Sequence, residues 1–359
     1  MARKRTPPPA DLTYKSAGVD ITANDRMVEK IRHALRRTYD PRVLSRHGAF
    51  AGLMRIDYSE ALLRRNFREP ILVSGADGVG SKLLVGMEHG RVRDLGIDLV
   101  AMNVNDVLTT GAEPLFFLDY VACHRLDPDE IAEIVTGISE GCTRARCALL
   151  GGETAELPDL YRKGHFDLAG FCVGVVDRPR IIDGPKLVEP GDVVLGLASS
   201  GLHSNGYALA RKALARFPKS ARLPVELGEP LVDAVLRPTR IYVKSILAVL
   251  QKYRRKRVIR AMAHITGGGL EGNIPRVIPR DCDVALKRGS WPIPPIFQLV
   301  QSAGVDEAEM YRVFNMGIGY VVIVRPLFAN SVMHLLTKQG EKVYRIGVIR
   351  RGGGRLVWR

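Results

Sequence analysis

The sequence predicts an α/β (α+β-like) chain built as two α/β domains, and three observations carry that reading. At 359 residues and 46% hydrophobic content, the chain is long enough to bury two cores. Short apolar runs alternate with helical patterns through about Val176, the grammar of helices laid on a sheet. A Pro- and Gly-rich link then follows (Asp177-Arg178-Pro179, Asp183-Gly184-Pro185, Glu189-Pro190-Gly191-Asp192), and the same alternation restarts. The expected division is a leader with a glycine-bearing loop over 1–20, a first domain over 21–176 and a second over 177–359.

In chain order, a basic, Pro-rich start through Pro9 lacks the apolar stretch of a secretory signal. The small-residue loop Tyr14 to Asp20 carries Lys15, which is free to act as a flap, and a helix is expected from Asn24 to Thr38. Strands are expected at Ala49 to Leu53 and at Ile71 to Ser74. A helix from Asp94 to Ala112 leads to the apolar strand Leu115 to Ala122, whose one conspicuous charge is Asp119. Leu126-Asp127-Pro128-Asp129-Glu130 is the sharpest local signal: Asp127 caps, Pro128 opens the helix and Glu130 sits at its third position. Strands follow at Cys147 to Leu150 and Phe166 to Val176. In the second half, strands are expected at Val193 to Ala198, Ile259 to Ile265 and Tyr320 to Val324, with helices at Tyr207 to Phe217, Pro230 to Leu236, Ile241 to Tyr253 and Phe328 to Lys338.

The chemistry gathers at strand ends. Ile71 to Lys82 runs from an apolar strand into Asp77-Gly78-Val79-Gly80-Ser81-Lys82, where glycine amides can meet an anion, Lys82 adds charge and Asp77 offers a hard oxygen ligand. This is not a Walker A loop, because Ser81 precedes the lysine. Asn105-Asp106 on a helix and Glu153 after Gly151-Gly152 add two more carboxylates, the set that Mg²⁺ bridged to phosphates needs. In the second half, Ser200 to Gly206 enters a helix and His264 to Gly269 carries three glycines. Both loops are expected to leave parallel strands at one edge and to share a crevice. Ser204, Asn205, Thr266, Gly267 and Gly268 are the expected substrate contacts, and His203 and His264 the candidates for moving a proton. There is no GxSxG elbow. Together these features describe a Mg²⁺- and ATP-using enzyme with an anionic second substrate.

Composition narrows the field further. The net charge of +15 lies in the second half: through Val176 there are 23 Lys+Arg against 24 Asp+Glu. The densest run, Lys252 to Arg257, follows a helix whose C-terminus such cations complement. No basic strand interleaved with aromatics resembles an RNA-binding platform, so nucleic acid is not the expected partner. No eighteen-residue apolar run is present, so no membrane partner is expected. Five cysteines without a CxxC pair fit a reducing, cytoplasmic setting and do not fit zinc.

Tyr14 to Ile21, Asp77 to Lys82, Gly96 to Met102, Val104 to Asp106, Gly111 to Pro114, Gly151 to Glu156, Ser200 to Gly206, Pro238 to Lys244, His264 to Gly269 and Phe314 to Gly317 together resemble the phosphoribosylformylglycinamidine cyclo-ligases. These are the aminoimidazole ribonucleotide synthetases of purine biosynthesis, and the motifs run in family order along nearly the whole chain. The resemblance implies ATP-dependent ring closure of formylglycinamidine ribonucleotide to aminoimidazole ribonucleotide, with ADP and phosphate released through an iminophosphate. It also implies a homodimer formed through the sheet of the first domain. By this resemblance Asp77, Asp106 and Glu153 would hold Mg²⁺, and Lys15, Gly78, Gly80, Ser81, Lys82 and Asn105 the nucleotide. Departures from the family pattern are Ser81 for Thr, Asn103 for Cys or Ser, Leu157 and Asp159 for Met and Gly, and Tyr320 for Met. Relatives sharing the nucleotide site include selenophosphate synthetase, whose reactive Cys has no counterpart in Tyr14 to Asp20.

Overall fold

The computed structural model describes residues 21–44, 52–55, 67–217 and 223–359. Lys15 and the Tyr14 to Asp20 loop lie outside the described residues. The first domain runs α1 (Ile21–Arg36), β1 (Pro70–Gly78), α2 (Lys82–Glu88), α3 (Arg93–Leu108), β2 (Glu113–Cys123), α4 (Pro128–Ala145), β3 (Ala148–Glu156) and β4 (Phe166–Asp177). Its four strands lie in the order β1-β4-β2-β3, with only β2 and β3 parallel.

The strand expected around Ala49 to Leu53 lies mostly outside the described residues. Among the described residues, this part of the chain contributes only a bridge between Val43 and Met54. The strand expected at Cys147 to Leu150 runs further, as β3, through Gly151 and Gly152 to Glu156, paired along β2. The α4 signal reads as written: the Asp127 carboxylate accepts the backbone N–H groups of Asp129 at 2.9 Å and Glu130 at 3.3 Å, satisfying donors the first turn leaves free. Helices α3 and α4 touch almost backbone to backbone; a Cβ on Gly137 would lie 1.9 Å from the Arg93 carbonyl oxygen, so only glycine permits the contact.

The second domain runs α5 (Gly184–Leu187), β5 (Val193–Ala198), α6 (Tyr207–Leu214), α7 (Leu231–Leu236), α8 (Val243–Lys252), β6 (Ile259–His264), α9 (Gly269–Asn273), β7 (Cys282–Leu286), α10 (Pro295–Ser302), α11 (Glu307–Val313), β8 (Ile318–Val324), α12 (Ala329–Lys338), β9 (Val343–Arg351) and β10 (Leu356–Trp358). Its six-stranded sheet has the order β10-β7-β9-β5-β8-β6. The expectation that β5 and β6 lie in a parallel sheet is corrected: each pairs antiparallel with β8, which lies between them. They still point the same way, so their following loops emerge at one edge.

Helix α3 joins the two halves. Thirteen of its sixteen residues are buried, including Asp98, Asn103 and Asn105. A helix covered on all sides belongs in a core, and one apolar cluster runs from Leu99, Val104 and Phe117 through Tyr242 and Ile246 to Val322. One face of the first sheet is thereby closed. On its other face Leu72 and Phe171 are 56% and 44% exposed.

Candidate active site

The site is built from the C-terminal end of α3, the end of β1 and the two loops after β5 and β6. His264 ends β6 and is buried; its Nδ1 lies 2.8 Å from Asp106 Oδ1 on α3, a carboxylate half exposed to solvent. The other imidazole nitrogen, Nε2, is buried without a hydrogen-bond partner. Asp77, on β1, completes the cluster. Burial pushes its carboxyl above the ordinary range and the neighbouring Asp106 charge adds to the shift, while the Gly78 N–H and His264 act against it. Two nearby carboxylates with solvent access repel each other unless a cation or proton intervenes. Their oxygens are the donor type Mg²⁺ takes, and this donor set fits the expected ion.

Glu153 is not part of the cluster. The sheet register aligns Asp77 with Gly170, Asp119 and Gly152 in one row, and Glu153 with Gly78, Ala169 and Tyr120 in the next. Successive rows face opposite sides of a sheet, which puts Glu153 three strands from Asp77 and on the other face. Among the described residues no group of three His, Cys, Asp or Glu is placed to hold a metal.

Several predicted ligand contacts turn out to hold the domains together. Lys82 is fully buried, its ammonium 2.7 Å from Asp98 and donating to the Arg237 carbonyl at 2.8 Å. Burial pulls the lysine pKa down and the Asp98 pKa up, each opposed by the charge of the other. Asp98 also accepts the Thr239 N–H and hydroxyl at 2.7 and 2.6 Å, and Thr239 meets the buried Ser204 hydroxyl at 3.0 Å. Lys82, Ser204 and their partners thus form one sealed chain across the domain boundary. Asn105 is likewise committed: its amide donates to the Arg240 carbonyl and accepts the Tyr242 N–H, at 2.8 and 3.1 Å. The lysine stands at the start of α2 and the asparagine in α3, where packing of α3 against the second domain turns both inward. Nothing local marks Asp98 and Thr239 as members of this chain, because the contact between them crosses 141 residues.

Gly78, Gly80 and Ser81 remain open to the surface. Gly80 has φ +75 with nothing near its Cβ position, and the Ser81 hydroxyl makes no capping bond. The two second-domain loops do meet: Asn205 Oδ1 accepts the Gly267 N–H at 3.0 Å. Thr266 reaches Asn273 at 3.4 Å, Gly267 is exposed and Gly268 has φ +94. His203 is held differently from His264. It sits at φ +62, its Nε2 accepts the Ser200 N–H at 3.1 Å, and Nδ1 is buried without a partner. Burial depresses its pKa well below the usual histidine value, with His264 nearby adding to the shift, so the ring is neutral. The departure residue Asn103 bonds the carbonyls of Asp77 and Leu99 at 3.2 and 2.9 Å, tying α3 to β1 at the candidate metal ligand.

Comparison with known proteins places this geometry. Residues 61–176 match the family model for the AIR synthase related protein, N-terminal domain, and residues 189–359 that for its C-terminal domain. The chain is 51% identical over 344 residues to the phosphoribosylformylglycinamidine cyclo-ligase of Anaeromyxobacter dehalogenans, covering 95% of this chain and 96% of that one. It is 52% identical over 342 residues to the enzyme of the same name from Bordetella pertussis, covering 95% of each. Among solved structures it is similar to thiamine-monophosphate kinase from Stenotrophomonas maltophilia, with a TM-score of 0.68, 19% identity and 93% and 95% of the two chains covered. It is also similar to hydrogenase maturation protein HypE in complex with ATP, with a TM-score of 0.66, 15% identity and 96% and 93% covered. At such identities the structures speak for the fold, while half-identity over nearly the full length speaks for the family: the chain belongs to the phosphoribosylformylglycinamidine cyclo-ligases.

Proposed function

We propose that this chain uses ATP to close formylglycinamidine ribonucleotide to 5-aminoimidazole ribonucleotide, releasing ADP and phosphate, and that an iminophosphate formed on the substrate is the intermediate. The observation that carries the proposal is the Asp106–His264 pair, which joins the two domains at 2.8 Å beside Asp77. Residues 21–176 would serve the nucleotide and 177–359 the ribonucleotide. Asp77 and Asp106 would hold Mg²⁺, which when bound neutralises charge on the transferring phosphoryl group.

The chain's own groups divide the remaining work. Asp106 orients the His264 ring and fixes which nitrogen it engages. His264 Nε2 is then the atom positioned to hold or move a proton as the ring closes. Gly80 and the Gly267-Gly268 turn let the backbone approach ligand without a Cβ in the way. The Asn205–Gly267 bond keeps the two substrate loops at fixed spacing, which is what near-attack geometry requires. Lys15 would close over the phosphates.

A homodimer through the outer face of the first sheet would cover Leu72 and Phe171, and Glu153 shares that face with Tyr120 and Ala169. No described helix is long and apolar enough to cross a membrane. The test is turnover: ADP release must depend on formylglycinamidine ribonucleotide and Mg²⁺, and must not arise with selenide or thiamine phosphate. Turnover with either alternative, and none with the ribonucleotide, would sink the reading.

A further inference from the structure

A cavity of about 670 Å³ opens between the C-terminal end of α4 and the N-terminal end of α8. Five cationic side chains line it, Arg144, Arg146, Arg237, Arg240 and Lys244, against a single carboxylate, Glu341. That carboxylate is already engaged, by Arg240 at 2.7 Å and the Ser245 hydroxyl at 2.5 Å. Arg144 and Arg237 pair outward with Glu140 and Glu229. The charged groups of Arg146 and Lys244 have no hydrogen-bond or ion-pair partner among the described residues.

Both of these cations are held against local preference. Arg146 caps α4 in the left-handed region at φ 56, a position glycine fills without strain. Lys244 stands in the first turn of α8, which has no acidic residue, at the helix end whose dipole disfavours a cation. Complementing the α4 dipole would account for Arg144 and Arg146 but not for Lys244. A bound anion accounts for all of them, since it also gains the free N–H groups of α8.

We infer that this cavity is a second ligand site, taking a small, multiply charged phosphate-bearing metabolite. Its volume suits a ligand of nucleotide size or smaller. The site is set apart from the Asp77–Asp106–His264 cluster yet wired to it. Arg237 donates to the Ser200 carbonyl at 3.1 Å, the Ser200 N–H donates to His203, and the Arg240 carbonyl accepts from Asn105 beside Asp106. An anion bridging Arg146 of the first domain and Lys244 of the second would clamp the boundary on which the active site rests.

The probe is inorganic pyrophosphate, titrated at fixed free Mg²⁺ and fixed ionic strength while a non-hydrolysable ATP analogue saturates the active site, with thermal unfolding and calorimetry as readouts. The parent is expected to show a saturable rise in Tm and one binding event per chain. Arg146→Gly with Lys244→Gln should abolish both while leaving the unliganded Tm equal or higher, since each change relieves a local strain. A parent response no larger than that to matched sodium chloride overturns the inference. So does a double variant that binds pyrophosphate as the parent does. If the double variant folds poorly, Lys244→Gln alone, on the exposed first turn of α8, must weaken binding at least tenfold or the site is not there. Binding is read without turnover, so failure here is separable from failure of the proposed activity.

Discussion

Helix α3 carries two acid–base pairs eight residues apart, and their difference separates scaffold from site. At Asp98 both partners are sealed, with the side chains of Lys82 and Asp98 each 0% exposed and every neighbour an element of the fold. At Asp106 the histidine is buried but the carboxylate is 50% exposed, with Asp77 beside it. The first pair has no face left for a ligand; the second has a free carboxylate edge and an unpartnered imidazole nitrogen. Which member of a charged pair keeps access to solvent decides whether the pair holds the fold or serves chemistry.

The largest expected effect breaks the sealed pair. Lys82→Met leaves Asp98 buried without its cation, a change that costs roughly 3–5 kcal/mol. Chemical denaturation should show that loss, and Lys82→Met with Asp98→Asn should recover part of it, because the neutral amide still accepts from Thr239 and leaves no buried charge unpaired. An unchanged midpoint in Lys82→Met would mean that the ammonium is not committed to Asp98 at all, and the contrast with Asp106 would fail.

The open pair should behave the opposite way. Asp106→Asn and Asp77→Asn are expected to lower kcat about 10²-fold or more with little change in Tm, since losing a metal-bound carboxylate removes transition-state stabilisation rather than packing. His264→Asn should lower kcat while the KM for ATP stays near the parent value, and His203→Asn should act mainly on stability, its ring being a neutral bracket for the Ser200 turn. Parent turnover in both histidine variants across pH 6 to 9 would remove histidine from the mechanism.

How much of this was legible in the sequence follows the same division. The elements were largely readable, because Asp127-Pro128 and the apolar runs act over a few residues. The strands β7, β9 and β10 were not, since β9 alternates Arg and Tyr with apolar residues and reads like a surface tail until β5 and β7 pair with it. At the site, Asp77, Asp106 and His264 stood out by their place at element ends, and the structure brings them together. Lys82 and Asn105 stood out for the same reason and are instead bonded across the domain boundary, while Ser204 is buried against Thr239 within its own domain. Sequence patterns show which residues sit at the end of an element; only the partner's position, more than a hundred residues away, shows which way the side chain turns.

A smaller effect follows from Asp119, which shares the sheet row of Asp77 without its access to solvent. Burial pushes the Asp119 carboxyl from an ordinary 3.8 up to about 7. The folded state therefore binds a proton that the unfolded state releases between those values. The sign follows directly: the native chain holds more protons in that window, so stability falls as pH rises from about 4 to about 7 and levels off above it. The slope assignable to this group is about 1.4 kcal/mol per pH unit, and it should vanish in Asp119→Asn. Denaturation midpoints of parent and variant compared at pH 5, 6 and 7 measure it; parallel curves would show that Asp119 ionises as an ordinary carboxylate.

The finest test concerns the seam between scaffold and site. Asn103 reaches from α3 to the carbonyl of Asp77 at 3.2 Å, while its own Oδ1 is buried with no partner. In Asn103→Ser the bond to β1 is lost, worth about 1 kcal/mol, but so is an unsatisfied buried oxygen whose cost is of similar size. The two nearly cancel in stability, so Tm should hardly move. They do not cancel in position, because the only side-chain tie between α3 and the Asp77 backbone is gone among the described residues. A candidate ligand held less firmly binds its ion less well. The expected outcome is a several-fold rise in the Mg²⁺ concentration for half-maximal turnover at an unchanged Tm. A fall in Tm with unchanged Mg²⁺ dependence would instead assign Asn103 wholly to packing and move the boundary between the two regions of α3 past residue 103.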